Sequence, residues 1–215
     1  MSRLFIIGSG GLALDVVWLI ETSREIQTEK QLPIELIGFV ADSTSARPGR
    51  YPLLGDDEWA MQHLDRDLGF VVAIANPSIR KKLATRYEAA GFQPVSLIHP
   101  AAHVADADAI GAGSIICVGA VVSPQAKVSR HVIINIHTTV GHDSVIGDFA
   151  TISPGVHIGG NVRIGPEAEI GSGATILQGL HIGAGAVLGA GGVAIRDLDA
   201  HATYVGVPAR KVKQR

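Results

Sequence analysis

The chain has 215 residues, 26 of them glycine, and is 47% apolar, 18% charged and 5% aromatic, a composition that argues against a disordered or nucleic-acid-coating protein. Eighteen lysines and arginines stand against 20 acids, a formal charge of −2, so there is no basic footprint for DNA, RNA or an anionic membrane. Mean hydropathy is positive at +0.29, yet Gly, Ser, Asp or Lys breaks every apolar run before the roughly 18 to 20 residues of a spanning helix.

The first residues imitate a signal peptide, but Gly8-Ser-Gly-Gly11 and Asp15 interrupt its apolar core and no small-residue cleavage site follows. The lone cysteine, Cys117, cannot form an internal disulfide, which fits a reducing compartment, and the cytoplasm is the expected location. Over residues 1–100 the pattern alternates. Residues 4–8 read as a short buried strand, 12–22 as a helix, 34–40 and 70–75 as apolar strands, 79–90 as a polar helix and 95–98 as a further strand. Strands separated by helices predict an α/β domain with a small parallel sheet.

After the first strand, Gly8-Ser9-Gly10-Gly11 places backbone N–H groups at a helix N-terminus, where unpaired donors and the helix dipole favour a phosphate. The third glycine of a dinucleotide fingerprint is missing, because Leu12, Ala13 and Leu14 follow, and a tight turn with no ligand remains an alternative. Asp42 follows the second strand, where an acid in such folds reaches a ribose hydroxyl, unless it is an ordinary turn aspartate. Gly10, Gly11 and Asp42 together favour a nucleotide-bearing ligand over hydride transfer.

Residues 101–215 follow another rule. Every sixth residue from Val104 to Leu188 is aliphatic, fifteen without a miss, the position two before is mostly small or β-branched, and the position after is often glycine. A six-residue period suits a solenoid in which each hexad makes one short strand and one corner, with the aliphatic inward and glycine expected to take the strained turn backbone. Three hexads per turn give about five coils, and broad flat faces of this kind are naturally covered by packing three copies about an axis. A homotrimer is therefore expected.

Polar residues crowd one stretch of this apolar repeat, from Asn135 to Phe149. His142 falls two residues past the inward Val140, at a corner, and Asp143 beside it is placed to hold the imidazole in one tautomer and increase its basicity. Such a pair serves acyl transfer, since an amine or hydroxyl must lose a proton as it attacks; a solvated surface pair is the plain alternative. The other histidines read as structural. Cys117, next to the inward Ile116, has no basic partner nearby in sequence and is a poor acyl carrier.

The hexad run, residues 136–149, the closing Val205-Gly-Val-Pro208-Ala-Arg210 and Ile6-Ile7-Gly8-Ser-Gly-Gly11 resemble the bacterial nucleotide-sugar acetyltransferases of the sialic-acid and bacillosamine type, a group that includes the perosamine N-acetyltransferases. The resemblance spans nearly the whole chain. It implies a Rossmann-like domain followed by a left-handed parallel β-helix, a homotrimer with inter-subunit sites, acetyl-CoA as co-substrate and no metal. By the same resemblance His142 is the general base, Asp143 its acidic partner and Asn135 a neighbour at the site. Gly10, Gly11 and Asp42 would hold the nucleotide of the sugar, Thr151, Gly160, Ser172 and Ala190 would line the acetyl-CoA groove, and Arg210 would meet its nucleotide end.

The implied reaction is acetylation of the 4-amine of a nucleotide-linked 4-amino-4,6-dideoxy sugar for surface polysaccharide synthesis, GDP-perosamine first and UDP- or dTDP-linked sugars second. Leu12 departs from the pattern, because many relatives have a histidine there. Two rivals remain open, sialic acid O-acetylation and a non-catalytic trimeric nucleotide-binding scaffold. A third reading is weaker: His137 and His142 are spaced like the metal pair of trimeric left-handed-helix carbonic anhydrases, but the place of the third ligand is Ala101.

Overall fold

A computed structural model describes residues 2–26, 34–42 and 50–214 of the chain. Its amino-terminal part is a five-stranded parallel sheet formed by β1 (Ser2–Ile7), β2 (Ile34–Val40), β3 (Leu53–Gly55), β4 (Gly69–Val72) and β5 (Gln93–Pro94), in the order β3-β2-β1-β4-β5. The helices are α1 (Gly11–Glu25), α2 (Asp57–His63) and α3 (Pro77–Ala89). Leu4, Ile6 and Val71 pack with Ala13, Val16 and Ile20 of α1, while Phe5, Ile7, Phe70 and Val72 pack with Ala84 and Tyr87 of α3. Strand alternation thus covers both sheet faces with helices.

Two elements, β3 and α2, lack a sequence counterpart above. β3 has three residues, too few to show a period, whereas α2 announces itself chemically: Asp56 caps it by accepting from the Trp59 N–H at 2.8 Å, and Asp57 and Glu58 occupy its first turn. The expected strand at 95–98 divides. Val95 bonds back to Phe70 of the sheet, but Leu97–Ile98 pairs with Ile115–Ile116 and begins the solenoid before residue 100.

From there the chain is a left-handed parallel β-helix with three faces, each strand pairing with the one 18 residues on. The first face runs through Ile115–Ile116, Ile133–Ile134 and Thr151–Ile152, the second through Val121–Val122, Thr139–Val140 and His157–Ile158, and the third through Lys127–Val128, Val145–Ile146 and Arg163–Ile164. The inward aliphatics from Ile116 to Leu188 are all buried, with the small residues Ala120, Ala126, Ala150, Ala168 and Ala174 beside them.

The structure corrects the role expected of the glycines. Left-handed backbone recurs at every sixth residue from Gly113 to Gly191, three places after each inward aliphatic, and Gln125, His131, His137, Asp143, Phe149, Asn161 and Glu167 adopt it as well. The glycines immediately after the aliphatics serve stacking instead. A Cβ on Gly141 would lie 2.5 Å from the Gly159 carbonyl carbon, and one on Gly165 2.5 Å from the Ala184 nitrogen, so these positions are small because the next coil passes close by.

The two parts share a core. Leu97, Ile115, Cys117 and Ile133 of the first face belong to the same apolar cluster as Leu4 and α1. The junction is closed by Arg80 of α3, whose side chain is buried. It donates to the carbonyls of Ile74, Ala75, His131, Phe149 and Ala150 and to Thr151 Oγ1. Burial lowers its pKa to about 10, so it remains a cation at neutral pH.

Candidate active site

His142 stands at the corner between the second and third faces. Asp143 there has φ of +59°, a conformation that aspartate tolerates in single residues. Its Oδ2 lies 2.7 Å from His142 Nδ1. Because a carboxylate only accepts, Nδ1 donates and Nε2 is left with its lone pair. The ring reaches over the next coil to Gly160, where a Cβ would come within 2.6 Å of Nε2. Among the described residues the Gly160 N–H donates to no acceptor. With the His142 side chain 70% exposed, this corner presents a proton acceptor and a free backbone donor side by side.

Asn135 lies at a different corner of the same coil, between the first and second faces, its Oδ1 accepting from the Ile136 N–H at 2.7 Å. Ser172 and Ala190 follow on that corner in later coils, where the Gly191 N–H donates to Ser172 O at 2.8 Å, and both are exposed. Within one chain, Thr139–Val140 of the second face separates this corner from His142. A single copy therefore does not bring Asn135, Ser172 or Ala190 to His142 and Gly160. Arg210 is exposed at the start of the last strand, Arg210–Gln214, which pairs antiparallel with Ala202–Val205.

Thr151 is a correction. It lies under α3, with its hydroxyl donating to Ala75 O at 2.7 Å and accepting from Arg80 at 2.9 Å. That side chain holds the junction and is not offered to a cofactor.

The second candidate region is at the carboxyl edge of the sheet. A cavity of about 370 Å³ is lined by Ile7, Gly8, Ser9, Gly10, Val40, Asp42, Asp57 and Ile74 among others. It opens where β1 borders β4 and the strand order reverses, the usual place for a ligand in an open α/β sheet. Gly8, at φ +104°, would set a Cβ 2.9 Å from Ile74 Cγ1, which fixes glycine there. A Cβ on Gly10 or Gly11 would meet nothing within 4 Å, so the turn is open on its outer side. Asp42 is exposed at the rim.

Asp57 at the cavity and Arg80 at the junction have no counterpart in the sequence reading. Asp57 lines the cavity, held by Tyr87 Oη at 2.8 Å and Arg86 at 3.2 Å; its place after a capping aspartate was the available signal. Arg80 sits in a helix that reads as polar, and nothing local marks it as buried. Other readings take on physical detail. Burial pushes the Cys117 thiol up to about 12, which removes the thiolate an acyl carrier needs. His137 folds over Gly119, and among the described residues no group of three or more His, Cys, Asp or Glu is placed to hold a metal ion. No described helix is long and apolar enough to cross a membrane.

Comparisons with known proteins match both parts. The PglD N-terminal domain family matches residues 3–87, and the bacterial transferase hexapeptide family, six repeats, matches residues 143–178. The acetyltransferase domain of PglB from Neisseria gonorrhoeae, solved with acetyl coenzyme A, is 33% identical, with a TM-score of 0.86 and 98% of each chain covered. A variant of perosamine N-acetyltransferase from Caulobacter crescentus, solved with CoA and GDP-perosamine, is 28% identical over 99% of this chain and 97% of its own, with a TM-score of 0.87. WeeI from Acinetobacter baumannii is 28% identical over 98% of this chain and all of its own, with a TM-score of 0.83. No curated protein matches.

Proposed function

The chain belongs to the hexapeptide-repeat nucleotide-sugar acetyltransferases, and from that premise we propose that it transfers an acetyl group from acetyl-CoA to the 4-amine of a nucleotide-linked 4-amino-4,6-dideoxy sugar. The observation that carries this reading is the His142–Asp143 pair, which leaves an exposed Nε2 lone pair beside the unengaged Gly160 N–H. As the amine nitrogen attacks the thioester carbonyl, Nε2 takes the proton that the nitrogen loses. Asp143 keeps Nδ1–H in place and faces the charge that develops on the ring. The Gly160 N–H stabilises the oxyanion. The C–S bond then breaks, the CoA thiolate leaves, and the imidazolium returns the proton to it.

The cavity at the Gly8–Gly10 turn would hold the nucleotide, with Gly10, Gly11 and Asp42 at its edge. Asn135, Ser172, Ala190 and Arg210 stand on surfaces remote from His142 in the same copy, which supports a homotrimer whose sites join the His142 corner of one copy to the Asn135 corner of the next. GDP-perosamine is the first substrate to try, given the Caulobacter relative's bound ligand. The test is the product of acetyl-CoA with GDP-, UDP- and dTDP-linked 4-amino sugars, followed by mass spectrometry. An acetyl group that survives alkaline hydroxylamine is on nitrogen. A hydroxylamine-labile product from sialic acid, with none from the amino sugars, would establish O-acetylation, and no product at all would leave a binding scaffold.

A further inference from the structure

Three chemically different groups stand in a row along the carboxyl edge of the sheet. The Gly8 N–H donates to Val40 O at 2.9 Å and the Ala41 N–H donates to Gly55 O at 3.0 Å. The glycine turn, the end of β2 with Asp42, and the link from β3 into α2 with Asp57 therefore lie side by side, and all three border the cavity of about 370 Å³. From the first to the last is two strand spacings, about 10 Å, a span on the scale of a nucleoside between its phosphate and the far edge of its base. The glycine turn and the amino end of the 15-residue α1 suit the phosphate, and Asp42 suits a ribose hydroxyl.

Asp57, at the third place, is half-buried and held in one orientation. Tyr87 Oη donates to its Oδ1 at 2.8 Å and Arg86 Nη1 to its Oδ2 at 3.2 Å. Tyr87 is fully buried, its ring packed against Phe5 and Phe70, and burial together with Asp57 pushes its phenol well up, so it stays a donor at neutral pH. Each carboxylate oxygen has two acceptor sites, and each of these has one engaged. Around the carboxylate the cavity is walled by Val40 and Ile74 from the sheet side and by Ile79 and Leu83 of α3, and among the described residues no lysine or arginine lines it. Apolar walls with one fixed polar group are what a flat heterocycle needs to be both buried and read.

Nucleobases differ at the edge that such a carboxylate meets. Guanine presents two adjacent donors, N1–H and the N2 amine, to two oxygens. Uracil and thymine present a single N3–H between two carbonyl oxygens, which oppose an acceptor-only group, and adenine sets one amine beside an acceptor nitrogen. A site with fixed acceptors rejects a ring that leaves them unpaired or opposed. We propose that Asp57 reads the base of the nucleotide-linked sugar: its two oxygens accept from guanine N1–H and the N2 amine, and it thereby selects GDP-linked over UDP- and dTDP-linked sugars. The inference rests on the acetyl-transfer reading above and names its nucleotide carrier. The base is remote from the reacting amine, so Asp57 acts through binding and KM moves more than kcat.

The test is calorimetric titration of wild type and Asp57→Asn with GDP, IDP, XDP, UDP and dTDP, where inosine lacks the N2 amine and xanthosine carries a carbonyl in its place. Wild type is expected to bind GDP about tenfold tighter than IDP, the worth of one hydrogen bond to a charged acceptor, and tighter still relative to UDP and dTDP. Asp57→Asn keeps an acceptor for Tyr87 Oη, and its amide can donate to the xanthine C2 carbonyl while accepting from N1–H, so its preference moves from GDP to XDP. Wild type binding IDP or UDP as tightly as GDP, or Asp57→Asn still preferring GDP to XDP, overturns the inference. If Asp57→Asn does not fold, the GDP-to-IDP ratio of wild type decides. Acetyl transfer on the same panel of amino sugars separates the two failures: transfer to a UDP- or dTDP-linked sugar in preference to the GDP-linked one overturns the inference and keeps the acetyl-transfer reading. Transfer to none overturns that reading, and the GDP-to-IDP ratio still decides for Asp57.

Discussion

His131 and His142 sit at two corners of one solenoid coil, and each has a carboxylate oxygen 2.7 Å from a ring nitrogen. Their surroundings differ. His131 is 1% exposed, stacked 5.1 Å from Phe149 at an interplanar angle of 4°, and its Nδ1 has no partner. Burial holds its pKa below the ordinary value even though Glu88 pulls the other way. His142 has the same pairing and an open ring. A carboxylate neighbour therefore does not by itself make a catalytic base. What separates the two is that α3, through Glu88 and Arg80, covers one corner, and no described residue covers the other.

The sharpest way to break this comparison is to disrupt each corner in turn, the open one at His142 and the covered one through Arg80. His142→Ala is expected to lower kcat for acetyl transfer by about 10²- to 10⁴-fold, the usual worth of a positioned general base, with the melting temperature unchanged because the side chain is exposed. Arg80→Ala should do the reverse. It strands several buried carbonyls and opens the junction, so a loss of about 3 kcal/mol or more is expected in the denaturant midpoint, with a smaller effect on chemistry per folded molecule.

Gly160→Ala sharpens the contrast from the other side. The added methyl meets His142 Nε2, and kcat should fall about tenfold or more as the ring is displaced, while the solenoid stays folded. The smallest effect concerns pH. Burial lowers the pKa of both His99 and His131, so on acidification the unfolded chain takes up protons first. The stability tied to these neutral rings is complete above the unfolded value of about 6.5 and is lost as pH falls through the lower folded values. A melting temperature that declines between about pH 7 and pH 5, and declines less in His131→Gln, is the expected result.

Much of the solenoid was legible because its rule is local: an aliphatic at every sixth position fixes which side chain points inward, and Val140 then puts His142 at a corner. The Gly8–Gly11 turn was legible for the same reason, since a strand, a glycine turn and a helix are consecutive. What stayed hidden depends on elements distant in sequence. Thr151 looks like any outward hexad residue until Arg80, 71 positions earlier, is packed against it. The glycines after the aliphatics looked like strained turns because the coil 18 residues on, which they actually clear, has no trace in their own neighbourhood.

The most direct test of the central claim is CoA thiol release from acetyl-CoA in the presence of the amino-sugar panel, wild type beside His142→Ala of equal melting temperature. Rapid release with one nucleotide-linked amino sugar, falling by about 10²-fold or more in the variant, is the expected result. Equal release by the two proteins would contradict it and move the proton acceptor away from the His142 corner.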